Sequence, residues 1–238
     1  MSRETWSLEE AAAHIHMDAR ELLHAAQRGE IEAVCRGDTY FFLHRTLDEW
    51  AQRQVLAESP RALDEQHDAM VAEDRAASRS TWRVASLLTP EGVELDLPSK
   101  TRAGALRDLT DLAERTGRVY DPDALYRELV SREEIATTAL ENGVAFPHPR
   151  FHDPYLFESS FLVYARARRP IYFGSGEIEP TRHFFLLGAT DHELHLHALA
   201  RLALVVRKTD LLTRLDAVGA PEEVAPLVAA CETEVLAE

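Results

Sequence analysis

His148 is the residue in this sequence best suited to nucleophilic chemistry. It follows an apolar run at 143–146 and a proline, with Arg132 and Arg150 on either side of it in the sequence. A neutral imidazole is a good nucleophile near pH 7, because its ordinary pKa is about 6.5. Guanidinium groups present forked hydrogen-bond donors that match phosphate oxygens. The combination predicts chemistry on a phosphoryl group.

The segment around this histidine, residues 131–150, carries a more specific pattern than one histidine. It contains, in order, Arg-Glu, a pair of hydroxyl residues, Asn-Gly, a short apolar run and Pro-His. This order resembles the active-site segment of the fructose/mannitol-type EIIA domains of the bacterial phosphotransferase system, which include the nitrogen-regulatory EIIA proteins. The resemblance covers residues 86–238 and implies an α/β domain with a mixed sheet and flanking helices.

The resemblance also implies roles for individual residues. His148 would accept the phosphoryl group on Nε2 from a phosphohistidine carrier protein, and Arg132 and His195 would flank the phosphate. Thr138 falls on a family position that would contribute a hydroxyl donor. Arg150, two residues after the histidine, would add a second guanidinium to the phosphate site. No metal, nucleotide or flavin is implied, because the sequence has no glycine-rich phosphate loop or dinucleotide fingerprint.

Departures from the family pattern leave a second interpretation open. Pro149 replaces a glycine after the active histidine, which fixes φ and removes a backbone N–H that would otherwise face the phosphate. Glu141 replaces the glycine before Asn-Gly and would repel a phosphate if it pointed inward. In the alternative, a DNA-binding regulator carries an EIIA-like sensor domain that is not phosphorylated.

Residues 1–56 form a separate pattern of short elements. A capping box at 7–10 starts one helix, Asp18 caps a second, and two strands flank a turn at 36–38. A further capping box at 46–49 opens a third helix. The runs Ser-Leu-Glu-Glu-Ala-Ala, Arg-Gly-Glu-Ile and Leu-Asp-Glu-Trp are similar to the excisionase/MerR-like DNA-binding module. This resemblance implies a small winged helix-turn-helix domain in front of the EIIA-like domain.

The candidate DNA contacts of this module are four basic side chains: Arg20, His24, Arg28 and Arg36. Residues 1–56 contain six arginines, ten acidic residues and no lysine, for a net charge of −4. DNA binding depends on Lys and Arg contacts to phosphates, which this module supplies poorly. Two interpretations stay open. One is DNA binding, for which a homodimer would concentrate Arg20, Arg28 and Arg36 on one surface; the other is a helix-turn-helix used for dimerisation or protein contact.

Composition restricts the remaining classes of function. The formal net charge of −15 argues against non-specific attraction to nucleic acid or to anionic membranes. The charged N-terminus does not resemble a signal peptide, and no apolar run approaches membrane-spanning length. We therefore expect a cytoplasmic protein without membrane insertion. Residues 57–85 predict a partly helical linker between the domains at 1–56 and 86–238.

The histidines of the chain support a third interpretation. His192 and His195 lie three residues apart at a helix start and would share a metal ion with a distant third ligand in a metal-responsive regulator. Neither Cys35 nor Cys231 lies near a histidine in the sequence, and no His-Glu-x-x-His run is present. We therefore expect no metal site, and phosphoryl acceptance by His148 stays the main hypothesis.

Overall fold

A computed structural model describes residues 5–37, 39–57, 82–150, 155–174 and 179–236. The chain divides into two units, Met1–Ser80 and Thr81–Glu238. Most of the predicted linker lies outside the described residues, so the domain boundaries proposed from the sequence stay a prediction. Within the described part of the chain, no helix is long and apolar enough to cross a membrane.

The N-terminal unit contains three helices and a three-stranded antiparallel sheet among its described residues. Its elements are β1 (Thr5–Ser7), α1 (Leu8–His14), α2 (Ala19–Gln27), β2 (Ala33–Arg36), β3 (Thr39–Leu43) and α3 (His44–Ala57). The strands lie in the order β1-β3-β2. Leu22 of α2, Phe42 of β3 and Leu47 of α3 are fully buried, so the helices and the sheet each contribute to an apolar interior.

Capping explains where the first two helices begin. The Ser7 hydroxyl oxygen accepts a hydrogen bond from the Glu10 N–H (3.3 Å), and the Glu10 carboxylate accepts one from the Ser7 N–H (2.9 Å). The Asp18 carboxylate accepts a hydrogen bond from the Arg20 N–H (2.8 Å). These contacts satisfy backbone donors that a helix start leaves without intrahelical partners. Both predicted helix starts are confirmed.

Two features of this unit differ from the prediction. Helix α3 begins at His44, so the predicted capping box at 46–49 is wrong. Leu43 is still paired with Thr5 in the sheet. The chain passes directly from strand β3 into the helix and leaves no residue between them to act as a separate cap. Strand β1 was not predicted, because three residues carry too little periodicity to indicate a strand.

The C-terminal unit is built around a four-stranded mixed sheet. Its described elements are β4 (Leu88–Leu97), α4 (Arg102–Arg115), α5 (Pro122–Ile135), β5 (Val144–Ala145), β6 (Phe161–Ile171), β7 (Thr181–Gly188), α6 (His192–Lys208), α7 (Leu211–Ala217) and α8 (Val224–Leu236), with short 3-10 turns at Val84–Leu87 and Pro221–Glu223. The strand order is β4-β6-β7-β5. Strands β6 and β7 are antiparallel, whereas the outer strands β4 and β5 run parallel to their neighbours. The predicted α/β class with a mixed sheet and flanking helices is confirmed.

Apolar side chains cover both faces of this sheet. Val163 and Leu186 belong to one core cluster with residues of α4 and α5. Their neighbours Leu162 and Leu187 are also fully buried, and they point to the opposite face because side chains alternate along a strand. Helix α6 packs against β7 and is buried continuously over residues 195–206. The core therefore holds α5 and α6, the two helices that carry candidate site residues, in fixed positions.

Strand β6 is longer than the sequence pattern predicts. The runs at 161–165 and 171–173 predict two strands, yet one strand extends from Phe161 to Ile171. Its pairing with β7 changes register between Arg166 and Ile171. Such an irregularity absorbs residues that break the alternating pattern without ending the strand.

Candidate functional site

A tight hairpin precedes the candidate nucleophile. The Thr138 carbonyl accepts a hydrogen bond from the Phe146 N–H (3.1 Å), and the Val144 carbonyl accepts one from the Leu140 N–H (2.8 Å). Gly143, at the turn between the two arms, has a φ of +75°. Glycine adopts this left-handed conformation far more readily than other residues do. The Asn-Gly pair noted in the sequence therefore provides the turn that folds the hairpin back on itself.

The second arm of the hairpin joins the edge of the sheet. Strand β5 pairs in parallel with β7, with Val144 opposite His183. Two residues after the end of β5, the Pro147 carbonyl accepts a hydrogen bond from the Leu187 N–H (3.0 Å). Because the backbone is held to the sheet up to Pro147, the position of His148 is determined by the sheet.

Two hydrogen bonds determine the protonation of the His148 ring. Nδ1 lies 2.8 Å from the Phe146 carbonyl oxygen. A carbonyl only accepts hydrogen bonds, so Nδ1 carries the proton. Nε2 lies 3.0 Å from Arg132 Nε, which donates to it. The ring is therefore neutral, with its lone pair on Nε2, the nitrogen that the family resemblance assigns as the reacting atom.

Arg132 lies in the last turn of α5, and its side chain is almost fully buried. Besides the bond to His148, its Nη1 donates to the Ala136 carbonyl (2.8 Å). The guanidinium thus connects the helix end, the following loop and the histidine. The structure brings together Arg132 and His148, as the sequence predicted.

His195 also lies next to His148. Asp191 caps α6 by accepting a hydrogen bond from the Leu194 N–H (2.8 Å), which places His195 in the first turn of the helix. Its ring is fully buried, and its centroid is 4.9 Å from that of His148, in an edge-on arrangement. Arg132 and His195 therefore contact the same ring from two different helices.

Thr138 is buried, but its hydroxyl is directed at a carboxylate. Its backbone N–H donates to Glu133 Oε1 (3.0 Å), and its hydroxyl donates to the same oxygen in a short hydrogen bond. Burial raises the pKa of the Glu133 carboxyl, while the hydrogen bonds from Thr138 and the charge of Arg132 act in the opposite direction. The predicted hydroxyl donor is thus occupied in this state of the site.

Glu133 is the residue that sequence reasoning missed. It is buried, whereas Glu134, the next residue, is exposed. An acidic residue in the last turn of a helix is disfavoured by the helix dipole, but this signal applies equally to Glu134 and so does not single out Glu133.

Phosphoryl transfer to His148 requires its reactive nitrogen to be accessible, but this structure does not expose it. The side chain has no exposed surface, and Nε2 is hydrogen-bonded to Arg132. The ring is enclosed because a helix end, a helix start and the hairpin converge on it. Access for a donor therefore requires a local rearrangement.

The remaining candidate residues of this unit lie around the hairpin and after the histidine. Arg150, a candidate phosphate ligand, follows His148 by two residues and is half-buried. Pro149, between them, is buried. Glu141 is exposed at the hairpin turn, so its carboxylate does not have the inward position that would repel a phosphate.

The four candidate DNA-contacting residues of the N-terminal unit are all exposed. Arg20 and His24 lie on α2, and Arg28 is its C-terminal cap. Arg28 Nη2 donates to the Glu30 carboxylate (2.9 Å), which offsets its charge. Arg36 lies on β2, with its guanidinium 5.6 Å from the centroid of the Phe41 ring. Their exposure contrasts with the burial of Arg132, His148 and His195.

The C-terminal unit is similar to known proteins. Residues 86–230 match the family model described as "Phosphoenolpyruvate-dependent sugar phosphotransferase system, EIIA 2". The nitrogen regulatory protein of Bradyrhizobium diazoefficiens is 36% identical over 137 residues, which are 56% of this chain and 86% of that protein. The fructose-specific EIIA component of Haloferax volcanii is 34% identical over 122 residues, which are 49% of this chain and 77% of that protein.

A solved structure gives the same result for the fold. The crystal structure of the nitrogen regulatory protein IIA-Ntr from Neisseria meningitidis aligns with a TM-score of 0.55 at 22% identity, covering 61% of this chain and 98% of that one. Residues 1–85 lie outside the matched family model. Since that model spans more than half of the chain and the similarity extends over most of a relative's length, this chain belongs to the EIIA 2 family of the phosphoenolpyruvate-dependent sugar phosphotransferase system.

Proposed function

We propose that this chain is a regulatory phosphocarrier in which His148 accepts a phosphoryl group on Nε2 from a phosphohistidine carrier protein. The observation that carries the proposal is the pair of hydrogen bonds on the ring, from Nδ1 to the Phe146 carbonyl and from Arg132 to Nε2. The first bond keeps the proton on Nδ1. The nucleophilic lone pair on Nε2 therefore already faces a cation.

The transfer step needs no base. The P–N bond to the carrier's imidazole breaks as a P–N bond to Nε2 forms, and the leaving imidazole keeps the electron pair. His148 retains its Nδ1 proton throughout. Arg132 releases Nε2 as the new bond forms, and its donors turn to the phosphate oxygens. Positioning and charge neutralisation suffice, because phosphoryl transfer needs little other covalent help.

The neighbouring residues complete this proposal. His195, packed edge-on against the ring, restricts ring rotation and offers a ring nitrogen to the phosphate. Arg150 supplies a second guanidinium, and Thr138 a hydroxyl once its bond to Glu133 is exchanged. The His148 side chain is buried. Docking of the carrier therefore displaces the part of this chain that covers the ring before transfer, as happens at sites that open to admit a reactant.

A reconstituted relay tests the proposal. The protein is incubated with phosphoenolpyruvate, the general enzyme and the histidine carrier, and the incorporated phosphate is measured by mass spectrometry. Wild type and the exposed-histidine control His24→Ala are expected to gain one phosphoryl group, and His148→Ala none. Equal labelling of wild type and His148→Ala would refute the assignment. If wild type stays unlabelled, the alternative of an unphosphorylated sensor domain is favoured.

The metal-responsive alternative has less support. Among the residues that the structure describes, no group of three candidate ligands contains both His192 and His195. The candidate ligand atoms of Asp210, Cys231 and Glu234 do lie close to one another in the described part of the chain. However, the Arg214 guanidinium bonds to each of them, at 2.6, 3.5 and 2.9 Å respectively, so a cation already occupies that position. Metal analysis of the purified protein separates this alternative from the phosphocarrier.

For the N-terminal unit we propose a winged helix-turn-helix that contacts a protein or a second copy of the chain. Helices α1 and α2, the hairpin β2–β3 and helix α3 follow the order that this module requires. The pairing of Arg28 with Glu30 leaves α2 with less positive charge for DNA phosphates. A gel-shift with the organism's own upstream DNA at two salt concentrations tests the choice. Salt-sensitive binding that Arg20→Ala weakens would establish DNA binding instead.

A further inference from the structure

The carboxylate of Glu133 connects helix α5 to the hairpin that carries the nucleophile. Glu133 is about 4% exposed. Its Oε1 accepts both the backbone N–H and the hydroxyl of Thr138. Its Oε2 has no hydrogen-bond partner among the described residues. Burying a carboxylate oxygen without a partner is costly, so a residue of this kind needs an explanation beyond packing.

A continuous series of contacts leads from this carboxylate to the ring. The Thr138 carbonyl accepts a hydrogen bond from the Phe146 N–H (3.1 Å). The Phe146 carbonyl in turn accepts the proton of His148 Nδ1 (2.8 Å). The series thus consists of hydrogen bonds and the backbone that joins them, and each residue in it is buried.

Two consecutive residues of α5 therefore act on the two nitrogens of one imidazole. Arg132 donates directly to Nε2. Glu133 reaches Nδ1 indirectly, because it holds Thr138, whose partner Phe146 carries the carbonyl that binds Nδ1. A shift of the hairpin relative to α5 would change both bonds at once.

We propose that Glu133 is a positioning residue for phosphoryl transfer, which acts through Thr138 and Phe146 to set the tautomer and the angle of the His148 ring. The inference rests on the proposed function of His148 and adds a residue to it. The bonds to a carboxylate are stronger than those between neutral groups, so they hold the hairpin firmly against the helix. Phosphoryl transfer depends chiefly on such placement.

The test compares variants that differ only in what they offer Thr138. Glu133→Ala removes the acceptor, Glu133→Gln keeps an acceptor oxygen of the same shape, and Thr138→Val removes the hydroxyl but keeps the backbone N–H. Glu134→Ala, the exposed neighbouring carboxylate, is the matched control. For each, kcat and KM for the phosphorylated histidine carrier are measured, and the ring nitrogens of His148 are examined by ¹⁵N NMR without carrier.

Glu133→Ala is expected to lower kcat by about tenfold or more with little change in KM, since displacement of a reacting group by about 1 Å can cost about 100-fold. Its NMR spectrum is expected to show a mixture of His148 tautomers in place of the single Nδ1–H form of wild type. Glu133→Gln restores most of the rate and the single tautomer. Thr138→Val shows a smaller loss of kcat, and Glu134→Ala behaves as wild type.

The results distinguish failure of this inference from failure of the proposed function. If wild type is phosphorylated and Glu133→Ala has the same kcat and tautomer, Glu133 is not a positioning residue, although His148 remains the acceptor. If wild type is not phosphorylated, the proposed function fails, and the NMR comparison still decides whether Glu133 sets the ring. Should Glu133→Ala not fold, an unchanged kcat and tautomer in Thr138→Val would overturn the inference.

Discussion

Two buried arginine–histidine pairs lie in the C-terminal unit, and they have different surroundings. Arg132 Nε donates to His148 Nε2 at 3.0 Å. Arg201 Nη2 lies 3.0 Å from His197 Nε2, one turn away along helix α6. By distance and burial the two pairs are nearly equivalent. What separates them is the third group that each arginine contacts.

The third group for Arg201 is a buried carboxylate. Glu232 of α8 forms an ion pair with Arg201 at 2.8 Å and also accepts the backbone N–H of Val84 at 3.0 Å. Arg132 also donates to the carbonyl of Ala136. Arg201 and Glu232 together connect elements of the fold. Arg132 instead donates to the ring nitrogen at which we propose the phosphoryl group is accepted, so its guanidinium lies beside an incoming anion.

We expect the greatest change from a variant that destabilises the protein at the buried Arg201. Glu232→Ala leaves Arg201 buried without its carboxylate and should lower the free energy of unfolding by about 3–5 kcal/mol. Urea unfolding followed by circular dichroism measures this. Glu234→Ala removes a half-exposed carboxylate from the same helix and should leave the midpoint nearly unchanged. A wild-type midpoint for Glu232→Ala would show that the ion pair does not hold the unit together.

The next change is a slower phosphorylation of His148 when Arg132 is replaced. Arg132→Ala should lower the rate of His148 phosphorylation by about 100-fold, the usual cost of losing one preorganised donor to developing charge. Arg132→Lys keeps the positive charge but loses the forked donors of the guanidinium. Its rate should therefore lie between those of wild type and Arg132→Ala. The rate is measured in the reconstituted relay, with Arg127→Ala, an exposed arginine of the same helix, as control. If Arg132→Ala instead lowers stability as much as Glu232→Ala and leaves the phosphorylation rate unchanged, the proposed difference between the two arginines is wrong.

Another buried histidine, His183, differs from both pairs because its ring contacts a hydroxyl. Tyr164 Oη lies 2.8 Å from His183 Nδ1. The pKa of His183 is lowered to about 4, chiefly by burial; Asp216 opposes this shift, and Arg182 and Arg166 contribute to it. The unfolded chain takes up this proton near pH 6.5 and the folded chain only near pH 4. The stability that the neutral His183 ring contributes is therefore fully present above pH 6.5 and is lost as the pH falls from 6.5 to 4.

The expected loss from His183 is at most about 3 kcal/mol between pH 6.5 and pH 4. His183→Asn keeps an acceptor for Tyr164 but does not titrate, so its unfolding free energy should depend less on pH. Urea midpoints of both proteins across this range measure the difference. Parallel curves for the two proteins would contradict the prediction.

Local signals in the sequence were sufficient for most elements of the C-terminal unit. Asp121 and Thr101 accept hydrogen bonds from backbone N–H groups three residues ahead, at 2.8 and 3.1 Å, and start α5 and α4. Gly117 and Gly143 adopt positive φ, after the end of α4 and at the hairpin turn. These signals are readable because each acts within a few residues along the backbone.

The same reasoning did not extend to Glu133, to the burial of His148 or to the pairing of Arg28. A charged residue after Arg132 looks like any solvated helix end until the hairpin is packed against it. Arg28 looks available for DNA until the backbone brings Glu30 to it. Which side chains are buried and which of them pair depends on which surfaces of the fold pack together. Short motifs in the sequence do not contain that information.

The sequence alone was enough to indicate the candidate nucleophile His148, its proposed neighbours Arg132 and His195 and the starts of the helices that carry them, because those features lie in short motifs. The packed fold was needed to show which nitrogen of His148 holds the proton, that its ring is enclosed, and that Arg201 pairs with Glu232. The physical reason is separation along the chain. Arg132 and His148 are 16 residues apart and Arg201 and Glu232 are 31 apart, so their contacts exist only once helices, hairpin and sheet share one core.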